Sequence, residues 1–378
     1  MDRTICCKLT TTSAVSEALE ETAVVFAEAC MFALEAAKKH KTSDKRKLQQ
    51  VVYKDMRSKF SLTSNLVIRS IARVCYAIKI AAKKRNIVKD FKSTSIDYDQ
   101  RIFAYRERSQ SVSISTIHGR MHVPLDLGSY QKKALKGKDP TCAKVVKIGK
   151  HWFIHIVIDE DPPEKKGGPP LGIDLGIRSI ATMSTGKKIN GAKVQAIRAR
   201  YARIRASLQS KGTKGSKRAL KRLAGREARF MSWINHNVSR SIIREAESHA
   251  RGLIRFEHLK GIRESTRSWN KHRNRMMAGW GYYQLQTFTE YKAARVGLET
   301  EFVNPAWTSE NCHSCGYRGI RSKLKNWLHC PTCDMVFDAD LNAAKNIEAG
   351  GVGAGVIPAV RNATRIADQL MEFFSKTG

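Results

Sequence analysis

Two cysteine pairs constrain one stretch of this chain more tightly than any other feature. Cys312-x2-Cys315 and Cys330-x2-Cys333 are separated by fourteen residues. Each pair chelates from one tight knuckle, and four thiolates complete a tetrahedral shell, the geometry of a closed structural zinc site. Two pairs at ribbon spacing argue against a redox CxxC. His313 and His329 adjoin ligands, but four Cys fill the shell, so both read as bystanders. Trp327, Arg318, Arg321, Lys323 and Lys325 sit within the finger. A basic knuckle beside an aromatic suits nucleic-acid contact; it suits a solvated loop equally well. The remaining cysteines, Cys6, Cys7, Cys30, Cys75 and Cys142, are scattered, and nine is an odd total. That is no disulfide framework, so a reducing cytoplasm is expected.

Charge narrows the class of partner. Among 378 residues, 68 Lys and Arg face 34 Asp and Glu, a formal charge of +34. Repulsion on that scale opposes compaction unless a polyanion neutralises it. Nucleic acid is the natural polyanion, since each neutralised phosphate also releases counterions. A membrane partner is not expected: no basic amphipathic helix carries an aromatic anchor face, and no apolar run reaches spanning length. The opening residues Met1-Asp2-Arg3-Thr4-Ile5-Cys6-Cys7 lack an apolar h-region, so no signal peptide is expected.

Periodicity predicts the organisation. Residues 4–10 read as a short strand and 13–40 as a helix, with Ser13 or Ser16 as N-cap and an apolar face through Leu19, Val24, Ala27, Met31 and Leu34. Further helices are expected over 44–58 and 62–84, the latter with Leu66, Ile71, Val74 and Ile78 on one side. From about 94 to 160 the period falls to two, with SVSIST, MHVPLDL, AKVVKIG and WFIHIVID as strands. Asp161–Pro170, DPPEKKGGPP, reads as a linker. Beyond it, LGIDLGIRSIATMSTGKKING reads as a hairpin turning at Ser184-Thr185-Gly186. Basic helices follow near 195–209 and 217–249, with seams Ile197, Ile204, Leu208 and Leu223, Phe230, Ile234, Val238, Ile242 packing on a core. KGTKGSK (211–217) reads as a flexible basic link between them. A strand at 252–259, a helix at 281–297, a strand at 299–305 and a helix at 341–350 complete the pattern. The tail carries a modest amphipathic stretch near Ile366–Phe374.

Three acidic residues occupy unusual contexts. Asp174 lies in the apolar strand Gly172-Ile173-Asp174-Leu175-Gly176, Glu257 ends Leu253-Ile254-Arg255-Phe256, and Asp340 opens a helix after the second cysteine knuckle. A buried carboxylate costs several kcal/mol unless it is paired or binds a metal. Three of them at the ends of adjacent elements suit divalent cations such as Mg²⁺, which prefer oxygen ligands. Taken singly, Asp174 also suits an Arg partner and Asp340 a plain N-cap.

The blocks GIDLG, FEHLKGI, NPAWTSENCHSCG and CPTCDMVFDADLNAAKNI together resemble the TnpB family of insertion-sequence proteins and the related type V CRISPR effectors. The match runs from about Leu171 to Gly350; the N-terminal half resembles the family in layout alone. The resemblance implies an α/β multidomain protein. Its parts would be a β-barrel-like wedge domain (1–10 and 90–162), a helical recognition domain (11–89) and a linker (163–170). A RuvC, RNase H-like nuclease domain (171–305 and 337–350), a zinc ribbon (306–336) and a tail (351–378) would follow. Asp174, Glu257 and Asp340 match the family's catalytic acids. His258 departs from it, standing where Asp or Asn is commoner. Asp338 is a rival for the third acid, but the family's ligand directly precedes the Asn-Ala-Ala helix, which favours Asp340.

The activity implied is RNA-guided cleavage of double-stranded DNA beside a short flanking motif, in a prokaryotic, nucleoid-associated setting. Two Mg²⁺ or Mn²⁺ ions would activate water and leave 5′ phosphates. A structured guide RNA would choose the target by pairing. Arg198, Arg203, Arg205, Lys217, Arg218, Lys221 and Arg222 are the expected phosphate contacts, and Ser64, Asn65 and Arg69 the expected readers of the flanking motif. A partner transposase is not readable. Two other classes stay open: a guided DNA-binding regulator that has lost cleavage, which would lack an acid, and a guide-free structure-specific nuclease, which would not need so much positive charge.

Overall fold

The computed structural model describes residues 2–83, 85–161, 163–259, 281–322 and 326–351. The expected tail with its amphipathic stretch, and Lys323 and Lys325 of the finger, lie outside the described residues. Contacts divide the chain into two compact units, Met1–Asp161 and Pro162–Gly378.

The first unit opens on β1 (Asp2–Leu9), leaves for helices α1 (Ser13–Lys39), α2 (Lys45–Lys59) and α3 (Ser64–Lys83), then returns to strand. β2 (Ser95–Asp99), β3 (Phe103–Arg106), β4 (Ser111–Thr116), β5 (Gly119–Asp126), the short α4 (Ser129–Leu135), β6 (Cys142–Ile148) and β7 (His151–Asp159) follow. The antiparallel sheet runs β2-β6-β7-β1-β5-β4-β3. Alternation sets its faces: β7 buries Trp152, Ile154, Ile156 and Ile158 and turns the residues between outward. The sheet curls, since Tyr98 on edge strand β2 donates its hydroxyl to the Ser115 carbonyl of β4 at 3.1 Å.

Helix α1 buries most of the expected face, since Leu19, Ala27 and Leu34 are buried and Met31 packs on the core; Val24 is the exception. Its buried stripe runs through Leu19, Ala23, Phe26, Cys30, Ala33 and Leu34, and Val24 is 40% exposed. The stripe is rich in Ala, which a search for large apolar residues passes over, and Ala lets α1 approach α3 closely. The N-cap is Thr12, whose hydroxyl accepts from Val15 N–H, rather than Ser13 or Ser16.

The second unit holds β8 (Pro170–Asp174), β9 (Ser179–Met183) and β10 (Lys188–Asn190) as an antiparallel meander, then α5 (Ala192–Lys211) and α6 (Lys214–Ser248). β11 (Leu253–Glu257) pairs parallel to β8, α7 (Tyr282–Ala294) crosses over, and β12 (Glu299–Val303) pairs parallel to β11. The order is β10-β9-β8-β11-β12. One face of this sheet, with Leu171, Ile173, Ile254 and Phe256, packs on Ile242, Ala246, Leu285 and Ala293 of α6 and α7. A second, three-stranded sheet of β13 (Ile320–Ser322), β14 (Trp327–Cys330) and β15 (Met335–Asp338) leads into α8 (Ala339–Glu348).

The helical pair α5–α6 corrects two expectations. Gly212 in the left-handed region at φ 63° ends α5, and Thr213 caps α6 by accepting from Ser216 N–H, so the link is a tight turn. Helix α6 packs on the core as expected, but α5 buries Val194 alone, with Ile197 and Ile204 each 37% exposed. Basic residues on every side of α5 leave no continuous apolar face, and it rests instead on α6 through Tyr201 against Phe230 and Arg205 against Glu227.

Among the described residues, no helix is long and apolar enough to cross a membrane.

Candidate active site and metal centre

Alternation and register bring two of the three acids together. β8 and β11 pair parallel with Ile173 opposite Phe256, so Asp174 and Glu257 end neighbouring strands side by side. The C-terminal edge of parallel strands is where open α/β sheets place their ligands. Asp174 shares its face with Gly172, and Glu257 shares its face with Arg255. That face is covered by α8: Arg255 Nη1 donates to the Glu348 carbonyl at 2.6 Å. Gly172 is a necessity there, because a Cβ on it would stand 2.0 Å from the Ala344 carbonyl oxygen. Asp340 lies in the first turn of this docked helix and acts electrostatically on Asp174.

The electrostatics are those of crowded carboxylates. Burial, then Glu257, then Asp340 hold the Asp174 carboxyl well above the usual carboxylate range. Burial also raises Glu257, opposed by a hydrogen bond from the Thr308 hydroxyl and by the Arg321 guanidinium. Arg321 reaches in from β13, with Nη2 3.9 Å from Asp340 Oδ1 and a buried Nε that has no partner among the described residues. Thr182, opposite Asp174 on β9, likewise buries a hydroxyl with no partner among them. Tyr282, buried at the start of α7, feels both Asp174 and Glu257.

Asp338 and Asp340 separate cleanly. Asp338 is the N-cap of α8, accepting from Leu341 N–H at 2.9 Å, and its other oxygen pairs with Lys188 at 2.5 Å. Asp340 makes neither contact; its carboxylate lies 3.9 Å from Arg321 and acts on Asp174 more strongly than does Asp338, which acts on it too.

The four cysteines converge: the ligand atoms of Cys312, Cys315, Cys330 and Cys333 lie within 4.8 Å of one another. The three carboxylates are not drawn that tightly together. Cys312 and Cys330 are buried, and Cys315 faces solvent. Helix α8 ties this knuckle to the carboxylates. Asn342 Oδ1 accepts from the His313 backbone N–H at 2.9 Å, Asn342 Nδ2 donates to the Asn311 carbonyl at 2.7 Å, and Asn346 Nδ2 donates to the Thr308 carbonyl at 2.8 Å. Thr308 in turn holds Glu257.

The residues expected to contact nucleic acid fall into distinct settings. Arg203, Lys217, Arg218, Lys221 and Arg222 are exposed and make no ion pair among the described residues. Arg205 is bound to Glu227 across the α5–α6 pair. Arg198 is half-buried and lies near Glu227 and Tyr282 at the carboxylate end of the sheet. Ser64 is exposed and Asn65 half-buried at the start of α3. Arg69 Nε is buried and has no partner among the described residues, and Asp97 beside it bonds chiefly to Arg73 at 2.6 Å.

Sequence reasoning missed Gly172, Thr308, Tyr282, Asn342 and Asn346. Signals existed for two of them. Asn342 and Asn346 stand four apart on one helix face, where uncharged amides with no cap to make call for partners.

Two family models match the chain. One described as "Probable transposase" takes in residues 153–263, and one described as "Cas12f1-like, TNB domain" takes in 282–347. A TnpB-like protein of Methanocaldococcus jannaschii is 32% identical over 158 residues, 41% of this chain and 56% of that one. A CRISPR-associated endodeoxyribonuclease Cas12f1 of Sulfoacidibacillus thermotolerans is 26% identical over 215 residues, 52% of this chain and 49% of that one. The matches thus span about half the length of these curated relatives. A Cas12f1 chain, solved by cryo-EM in complex with sgRNA and target DNA, shares the fold at a TM-score of 0.67 and 18% identity, over 89% of this chain and 83% of that one.

Proposed function

We propose, from the premise that this chain is a relative of the TnpB family and of the type V effectors, that it is an RNA-guided DNA endonuclease. The observation that carries the reading is the meeting of Asp174 and Glu257 on adjacent parallel strands with Asp340 from the helix docked across them. The order β10-β9-β8-β11-β12, with its meander and parallel continuation, supports a RuvC, RNase H-like nuclease domain. On this reading the first unit supplies the wedge sheet and helical recognition insertion, and the cysteine knuckle is a zinc ribbon. The Sulfoacidibacillus relative is named an endodeoxyribonuclease, and the Cas12f1 fold neighbour was solved with guide and target, which supports the same partners here.

The donor sets fit the metals. Four sulfurs within 4.8 Å suit a tetrahedral Zn²⁺, and three carboxylates beside the orphaned Thr182 hydroxyl suit hydrated Mg²⁺ or Mn²⁺. Bound there, a pair of such ions would supply an activated water and charge neutralisation at the phosphate. The chain's own groups do the rest. Thr308 fixes the Glu257 rotamer through its hydrogen bond. Asn342 and Asn346 fix α8, and with it Asp340, on the knuckle. Exposed Arg203, Lys217, Arg218, Lys221 and Arg222 offer charge to phosphates, whereas Arg205 serves the helix pair.

The test is cleavage by protein stripped of RNA and reloaded with a defined guide. A matched plasmid should be cut, leaving 5′ phosphates, and a mismatched one spared. Cutting should move when the guide is rewritten. Equal cutting of both plasmids, or full activity without RNA, would leave the guide-free nuclease reading.

A further inference from the structure

Helix α6 buries one face, through Met231, Asn235, Val238, Ile242 and Ala246. The face opposite carries Arg226, Arg229, Trp233, Asn237, Arg240 and Arg244. At 3.6 residues per turn these six fall within about 80° of arc. Arg226, Arg229, Trp233, Arg240 and Arg244 are exposed, and Trp233 is 62% exposed. A solvated basic face interleaves carboxylates three or four residues from its arginines. Here one does, Glu247, three residues from Arg244, and it is paired with Lys166 at 3.1 Å; no ion pair among the described residues engages any of the four arginines. The indole is not a stray: Phe230 stacks behind it at 6.4 Å and Tyr201 braces Phe230 from α5. An aromatic held rigid and open between arginines is the arrangement that stacks an unpaired base while its neighbours hold phosphates.

Two further observations locate the strand. Asn235, two residues from Trp233, bonds to the Gly281 carbonyl and to Gln284, at the start of α7. That is the turn carrying Tyr282, whose hydroxyl pKa is raised by burial first and then by the charges of Asp174 and Glu257. The middle of the stripe, at Trp233, is therefore level along the helix with the turn that carries Tyr282. The stripe also widens onto α7, where Lys292 and Arg295 crowd Arg240; burial, then Arg240 and Arg295, push the Lys292 ammonium down to about 8.

We propose that this face of α6 is a track for single-stranded DNA, with Trp233 stacking on one base and the flanking arginines on the phosphates. A duplex hides its base faces, so a stacking indole selects the unpaired strand. The inference rests on the nuclease reading only for the identity of the strand; binding itself does not.

The test uses the full chain freed of RNA and a labelled single-stranded DNA of mixed sequence, titrated at several salt concentrations beside the same sequence as a duplex. Single-stranded DNA should bind more tightly than duplex. Trp233→Ala should weaken it about ten-fold, within the range measured for base stacking, and Trp233→Tyr should restore most of that. Arg226→Gln with Arg244→Gln should lower the logarithmic salt slope by about 1.4 for two lost phosphate contacts. Equal affinity for both forms, or no effect of Trp233→Ala beside an unchanged melting temperature, would overturn the track. Single-stranded RNA binding more tightly than DNA with the same Trp233 dependence would overturn its assignment to DNA. Guided cleavage has no part in these titrations, so a failure of the guided-nuclease reading would be seen separately.

Discussion

The carbonyl oxygen of Ala344 occupies the space where a side chain on Gly172 would begin, 2.0 Å from the ideal Cβ position. This contact lays α8 flat on β8 and so delivers Asp340 to Asp174. Gly172→Ala should force the helix outward at a cost of about 1–3 kcal/mol. Cleavage should fall at least ten-fold while zinc content, set by the cysteines, stays at one per chain. Normal cleavage by a folded Gly172→Ala protein would mean that helix docking does not position the third acid.

Asp338 and Asp340 are two residues apart and do different work. Asp338→Ala removes the α8 N-cap and the Lys188 partner, so it should lower stability by about 1 kcal/mol and leave cleavage largely intact. Asp340→Ala should barely change the melting temperature and abolish cleavage, with guided target binding retained. Melting curves and plasmid cleavage of both variants give the comparison. The reverse pattern would hand the third catalytic place to Asp338.

Much of this arrangement is legible in the chain because burial and chemistry act on neighbours in sequence. Period-two alternation marks β7, and the cysteine spacing marks the knuckle. The acids Asp174 and Glu257 stand out because each breaks an apolar strand. What escaped is long-range or small. Thr308 meets Glu257 across fifty-one positions, and nothing local announces a hydroxyl aimed at a carboxylate. The buried stripe of α1 is built largely of Ala, which carries little hydrophobic signal, so the expected face takes in exposed Val24 and passes over buried Ala23, Phe26 and Ala33. The α5 seam looked apolar because Ile197 and Ile204 recur at helical spacing, yet no core element comes to cover them. Trp233 sits among arginines, where periodicity alone gives no reason to prefer solvent over core.

The cysteine knuckle should hold one zinc per chain. Structural zinc is worth about 10–16 kcal/mol of apparent binding in small peptides, so Cys330→Ser should lose the metal and unfold the ribbon locally. The coupling through Asn342 and Asn346 adds a consequence. Loss of the knuckle should also cut catalysis, because the loop carrying Thr308 is anchored from the same helix as Asp340. Elemental analysis that finds no zinc in active, folded protein would refute the assignment.

Asp174 is also the residue whose removal should stabilise the metal-free protein. Its carboxyl is raised by burial first, then by Glu257 and Asp340, so the ionised form is the disfavoured one in the fold. For such an acid the unfolded chain ionises at the ordinary value, near 3.8, and the folded chain ionises only at higher pH. Below the ordinary value both states are protonated and no penalty exists. Above it the penalty grows, and it is complete once pH exceeds the raised folded value. Metal-free protein should therefore lose stability as pH rises from about 4 towards neutrality on account of this group. Asp174→Asn removes the charge and keeps the shape, so at pH 7.5 and without divalent cations it should be more stable by about 0.5–2 kcal/mol. Added Mg²⁺ should stabilise the parent chain and do little for the variant, since binding to the folded state alone is what shifts the balance. Melting curves with and without Mg²⁺, at a low and a neutral pH, read all of this without any cleavage assay. A variant less stable than the parent in chelator at neutral pH would show that Asp174 is paired in the fold rather than held there for a cation.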